Sequence, residues 1–211
     1  MWRWFPLCCQ GLIYMAESID VHEYLRLQGS LGLLAIHGGG IEPGTEEIAR
    51  FVAHHSGASL YVYAGRRSRG NLSLHRPSHD MKIEERALVV QFLNHVKTAI
   101  SIHGHGRRQN RAYVGGLHES MVQRFVKIAR PALSQYEWIS DPKIIPSGLS
   151  GQSLSNVVNL PPGRGMQLEL PPQLRETKGT PDGRGLEPAG DALRLSRLLI
   201  GFVTALIDEG S

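Results

Sequence analysis

LGLLAIHGGGIEPGT, residues Leu31 to Thr45, carries the pattern around which the rest of the chain is arranged. Leu33, Leu34, Ala35 and Ile36 form a short unbroken apolar run, the mark of a buried strand. The run stops at His37, crosses Gly38, Gly39 and Gly40, and reaches Ile41, Glu42, Pro43, Gly44 and Thr45. Thr45 followed by Glu46 and Glu47 predicts a helix N-cap with acids in the first turn, where the helix dipole favours negative charge. A strand end, a flexible loop and a helix start thus present an imidazole and a carboxylate in close succession. Open α/β sheets bind their ligands at this edge, beyond the carboxyl ends of the strands.

Three readings compete for the loop. Gly39, Gly44 and Thr45 have the spacing of a phosphate cradle, but the lysine before the Ser/Thr is missing and Glu42 would put a negative charge inside it. A plain tight turn explains the glycines and leaves His37 and Glu42 without a role. A metal site uses both, and it needs a third ligand, because catalytic zinc is held by three protein ligands with an open water position. Thr98 to Ile102, TAISI, is a second β-rich run, and it also ends abruptly, in His103-Gly104-His105-Gly106. Two strands that each close in His-Gly can set two imidazoles side by side; the strand end favours His103 over its competitor His105. Gly165 to Leu170, GMQLEL, alternates and carries Glu169 near its end. Two histidines, one ligand carboxylate and one free carboxylate fit a zinc peptidase arrangement, in which the metal lowers the pKa of water to about 7 and the free carboxylate shuttles the proton.

The motifs His37-Gly-Gly-Gly-Ile-Glu42-Pro-Gly-Thr45, Leu74-His75, Ile102-His103-Gly104, Val114-Gly115-Gly116 and Gly165-Met-Gln-Leu-Glu169-Leu170 stand in the order seen in the poly-γ-glutamate hydrolase family. The chain resembles that family, a group of phage and bacterial zinc enzymes related in fold to zinc carboxypeptidases, over roughly residues 31 to 175. The resemblance implies one Zn2+ per chain held by His37, Glu42 and His103, Glu169 as the catalytic carboxylate, and the γ-glutamyl amide of poly-γ-glutamate as substrate. It also makes His75 a substrate-contact or proton-handling residue. Zinc carboxypeptidases grip the substrate carboxylate with an Asn-Arg pair; the resemblance puts that pair near Asn159, but Leu160 follows it here. The charge then falls to Arg164 or Arg175, since the planar guanidinium fork pairs bidentately with a carboxylate.

Composition bounds the answer. A chain of 211 residues, 41% apolar and 20% charged, is long enough for one domain with a sizeable core. We expect a three-layer α/β/α single domain with a mixed, mostly parallel sheet, resembling zinc carboxypeptidases, over residues 31–211, with residues 1–30 as a poorly defined N-terminal segment. A formal net charge of +4 suits an anionic polypeptide or small amide substrate and gives no argument for nucleic acid. No stretch has the length of a membrane span. MWRWFPLCCQGLIYM has a Pro-interrupted apolar patch and no A-x-A-like cleavage site, which argues against a secretory leader; Met15 is an alternative start. The two cysteines, Cys8 and Cys9, are adjacent and make no disulfide framework, which points to a reducing cytoplasm.

Between the motifs, helices are expected at Glu46–His55, Glu84–Lys97, His118–Ala129 (terminated around Pro131) and Ala192–Asp208, with strands at Ser59–Ala64 and Tyr136–Ile139. Asp20 to Gln28 reads as a short helix or an edge element, Thr177 to Gly190 as a surface loop, and Pro146 to Pro162 as a long loop of the kind that carries function. The rival functions are a zinc amidohydrolase or carboxypeptidase acting on another acylated amino acid or a cell-wall peptide, and a non-catalytic module that binds a polyanion.

Overall fold

Apolar residues unbroken from Leu33 to Ile36 need cover on both faces of their strand, and the fold supplies it. In the computed structural model, which describes residues 12–79, 86–107, 110–181, 183 and 185–210, the chain runs β1 (Leu12–Glu17), β2 (Val21–Leu27), β3 (Leu31–Gly39), α1 (Thr45–Ser56), β4 (Ser59–Gly65), α2 (Ala87–His95), β5 (Thr98–Gly104), β6 (Arg111–Gly116), α3 (Glu119–Ala132), β7 (Glu137–Ile139), β8 (Gly165–Leu170), β9 (Thr177–Gly179), β10 (Leu186–Pro188) and α4 (Gly190–Glu209). Eight strands form one sheet in the order β1-β2-β4-β3-β5-β8-β6-β7. Its centre, β4-β3-β5-β8, is parallel; β1 and β2 extend it antiparallel on one side, and β6 joins β8 antiparallel on the other. The expected mixed, mostly parallel α/β sheet is therefore present.

Alternation along the strands divides the interior into two cores. Leu33, Val62, Ile102 and Leu168 face α1, α3 and α4, where Ile48, Val52, Phe125, Leu195 and Leu199 meet them. Leu34, Ile36 and Tyr61 face the opposite side, covered by Leu88, Val89 and Phe92 of α2. The two-residue period of a strand sends neighbouring side chains to opposite layers, which explains why the central strands have no polar face. Phe92 is fully buried and lies so close to β3 that a Cβ on Gly32 would stand 2.2 Å from its ring. Phe92→Ala is expected to leave a cavity there and to cost about 3–5 kcal/mol. Urea denaturation should show this as a lower midpoint with the slope unchanged.

Several elements differ from expectation. Asp20 to Gln28 contains neither a helix nor an edge: β2 pairs with β1 on one side and β4 on the other. Thr177 to Gly190 is a small hairpin, β9 with β10, tied by Lys178 to Glu187 at 3.3 Å. By contrast, α3 does end around Pro131, at Ala132, with Leu133 N closing the last turn on the Ala129 carbonyl at 2.9 Å. Thr45 is the first residue of α1 and Gly44 is its cap. The start of the Glu84–Lys97 helix, up to residue 85, and the Cys8–Cys9 pair lie outside the described residues. Among the described residues, no helix is long and apolar enough to cross a membrane.

Candidate active site

Four side chains meet at the carboxyl edge of the parallel strands. His103 ends β5 and lies in register with Glu169 of β8. Both point to the face opposite Ile102 and Leu168, as alternation requires. Strict alternation would send His37 to the other face, away from them. A register shift prevents this: β3 pairs Ala35 with Val62 and then Gly38 with Ala64, so Ile36 and His37 together oppose Tyr63. A bulge of this kind re-aims a side chain, and the His37 ring lies 4.8 Å from that of His103.

The glycine loop brings Glu42 back over the strand end. Glu42 N donates to the His37 carbonyl at 2.8 Å, and the Thr45 hydroxyl donates to the Glu42 carbonyl at 2.8 Å. Thr45 therefore spends its hydroxyl on the loop behind it and leaves the helix N-terminus uncapped by a side chain. Gly44 has φ +93, and a Cβ there would stand 2.0 Å from the Arg175 carbonyl oxygen, so only glycine fits.

Within this cluster, the His37 Nδ1 lies 2.8 Å from Glu42 Oε1 and 3.0 Å from His103 Nδ1. His103 Nδ1 is 3.5 Å from Glu42 Oε2, which also accepts from Gly104 N at 2.8 Å. His37 Nε2 donates to the Arg76 carbonyl at 2.6 Å, a bond that fixes the tautomer and turns the Nδ1 lone pair inward. One ligand atom from each of His37, Glu42 and His103 lies within 4.8 Å of the others. Donors bound tetrahedrally to zinc at their usual lengths stand roughly 3.3 Å apart. Two imidazole nitrogens and a carboxylate crowded at this spacing, with inward lone pairs, fit that cation.

The electrostatics separate the two carboxylates. Burial opposes charge on Glu42, but the His103 and His37 side chains packed against it outweigh burial and hold its carboxyl below the ordinary range. Glu169 is buried, and burial together with the nearby Glu42 charge outweighs the opposing Arg175 charge and pushes its carboxyl well above the ordinary value. Two neighbouring carboxyls whose surroundings push their proton affinities in opposite directions are the arrangement that divides acid–base roles in hydrolysis.

The other residues singled out by sequence fare differently. His75 stands at the mouth of the cluster, with its ring 4.0 Å from that of His37 and its Nε2 3.7 Å from Glu42 Oε1. Arg175 is near but its guanidinium is engaged: Nε donates to the Leu170 carbonyl at 3.1 Å, Nη2 to the His105 carbonyl at 3.4 Å, and Nη1 to the Pro43 carbonyl. It straps together the ends of three segments, and a Cβ on Gly104 would strike its side chain at 2.5 Å. Arg164 does not reach the cluster. It precedes β8 while Glu169 lies near the end of that strand, about 16 Å on at ~3.3 Å per residue, and its Nη1 donates to the Asn159 carbonyl. Asn159 is also absent from the cluster: it is fully buried, its Nδ2 donates to the Gly151 and Ser153 carbonyls, and its Oδ1 accepts from Leu117 N. His105 turns away from the ligands, with its Nε2 on the Arg111 carbonyl at 2.9 Å. Sequence reasoning missed Gln167, whose Nε2 donates to Glu169 Oε1 at 2.9 Å. Its signal was present in GMQLEL, since a residue two before Glu169 shares its face.

A family model described as poly-gamma-glutamate hydrolase matches residues 16–179. Among curated proteins, the SPbeta prophage-derived UPF0714 protein YoqZ of Bacillus subtilis (strain 168) is 32% identical over 144 residues, covering 68% of this chain and 49% of that protein. UPF0714 protein YndL of the same strain is 43% identical over 84 residues, 40% of this chain and 31% of that protein. The chain thus spans half or less of the length of these two relatives. Among solved structures, a bacteriophage poly-gamma-glutamate hydrolase matches with a TM-score of 0.76 at 21% identity, over 92% of this chain and 93% of that one. The zinc-free form of YndL matches with a TM-score of 0.71 at 22% identity, over 89% and 91%. At such identities the likeness to these structures is one of fold.

Proposed function

Because the chain belongs to the poly-γ-glutamate hydrolase family, we propose that it is a zinc-dependent hydrolase of γ-glutamyl amide bonds, with poly-γ-glutamate as its substrate. The observation that carries this reading is the placement of a buried Glu169 in register with His103, beside the convergent donors of His37, Glu42 and His103.

His37, Glu42 and His103 would hold the metal. When bound there, zinc supplies Lewis acidity that polarises the scissile carbonyl and makes water a better nucleophile at neutral pH. Glu169 takes a proton from the attacking water as the new C–O bond forms, and delivers it to the amide nitrogen as the C–N bond breaks. His75, about a third exposed by its side chain at 37%, faces the entering chain and contacts its carboxylate or carbonyl. Arg175 serves the site indirectly, by fixing the loop that carries Glu42. The net charge of +4 favours approach of a polyanion.

The test is a substrate comparison on the zinc-loaded chain, following new amino groups. Cleavage of γ-linked polyglutamate with α-linked polyglutamate and cell-wall peptides left intact is the expected result. Preference for a cell-wall peptide would move the enzyme to a different amide, and no cleavage of any of the three would remove the hydrolase reading.

A further inference from the structure

Gln167 and Asn156 are buried polar residues outside the trio of proposed zinc ligands, and they are linked to each other and, through Gln167, to Glu169. The orientation of every amide in this chain of bonds follows from one backbone group. Val158 N–H can only donate, and it donates to Asn156 Oδ1 at 3.1 Å. Asn156 must then turn Nδ2 toward Gln167, where it donates to Oε1 at 2.9 Å. Gln167 in turn has only Nε2 left for its other neighbours, donating to Glu169 Oε1 at 2.9 Å and to the Leu149 carbonyl at 3.3 Å. Both amide protons of Gln167 are thereby used. The loop that bears Leu149 packs directly on this side chain, since a Cβ on Gly151 would stand 2.9 Å from Gln167 Cβ.

We infer that Gln167, oriented by Asn156, is a positioning residue that reserves Glu169 Oε1 as a hydrogen-bond acceptor and leaves Oε2 as the oxygen that carries the proton between water and leaving amine. The inference rests on the role proposed above for Glu169. A flipped Gln167 amide would set its oxygen against an ionised Glu169 oxygen; the Val158 N–H forbids this through two intermediate bonds. A carboxylate so held cannot rotate to exchange its oxygens, and the proton is picked up and released at one fixed point. Catalytic carboxylates gain from this kind of support because the productive geometry tolerates little misplacement.

Two substitutions test it with little change of volume. Gln167→Met keeps the length and apolar contacts and deletes the donor; Asn156→Asp keeps the shape and removes the proton that orients Gln167. With poly-γ-glutamate as substrate, each is expected to lower kcat about 10- to 100-fold, as losses of outer-shell partners do, with KM within about twofold and zinc content unchanged. In a Glu169→Gln background, Gln167→Met is expected to lower the residual rate no further, because there is no carboxylate left to orient. A general loosening of the fold would lower both backgrounds alike. Wild-type kcat in both single variants, or an equal proportional loss in both backgrounds, overturns the inference. Should Gln167→Met fail to fold, Asn156→Asp carries the same comparison. The two layers separate cleanly: full turnover in Glu169→Gln removes the role of Glu169 itself, whereas an inactive Glu169→Gln beside fully active Gln167→Met and Asn156→Asp removes only the role of Gln167.

Discussion

Glu169→Gln is expected to lose about 100- to 10,000-fold in turnover, the range that a positioned acid–base group contributes, while the protein keeps its fold and its capacity for zinc. The reasoning starts from burial. Glu169 lies on β8, almost entirely shielded from solvent, with its Oε1 held by an amide and the Glu42 charge nearby. A glutamine occupies the same volume and can keep a hydrogen bond to Gln167, so packing is preserved. It cannot take a proton from water. The metal ligands are untouched, so elemental analysis should return one zinc per chain in both proteins. A variant with full turnover would exclude Glu169 from the mechanism, and one that lost its zinc would make it a support for the metal instead.

His103→Ala should abolish zinc binding and with it more than about a thousandfold of activity, since Lewis-acid stabilisation supplies several kcal/mol of the barrier reduction. His103 is buried and its Nδ1 stands 3.0 Å from that of His37, so no solvent-exposed group can replace it without rearrangement. The loss has a second readout. A ligand that binds only the folded chain stabilises it by about 4 kcal/mol at a thousandfold excess over its Kd. Wild-type protein should therefore melt at a lower temperature after chelation, whereas His103→Ala should melt at one temperature with or without chelator. Zinc-dependent melting retained in the variant would place the metal elsewhere.

Much of this site could be read from local chemistry, because strand ends announce themselves. The apolar runs before His37 and His103 stop at His-Gly, and the period of GMQLEL sets Glu169 on the face of a strand. What escaped was information that only neighbours supply. The bulge at Ile36–His37 depends on β4, and without it alternation turns His37 toward the helices α1 and α4. Arg175 looked free to bind substrate because the carbonyls it engages come from loops distant in sequence. Asn159 looked like a recognition residue for the same reason, though its amide holds its own loop together. Arg164 is a different case. Strand direction alone, with Glu169 near the carboxyl end, would have placed it at the far edge.

In the sheet order, β6 and β7 join the remaining strands only through β8, which slots between β5 and β6 although it is made after both. That strand is the keystone of the sheet, and it is also the strand that bears Glu169. A chain that has not yet seated it already has His37, Glu42 and His103, the proposed metal ligands, on earlier segments, but lacks Glu169, the proposed base. On the proposed function, competence to cut an amide bond would arrive only with the closing of the sheet.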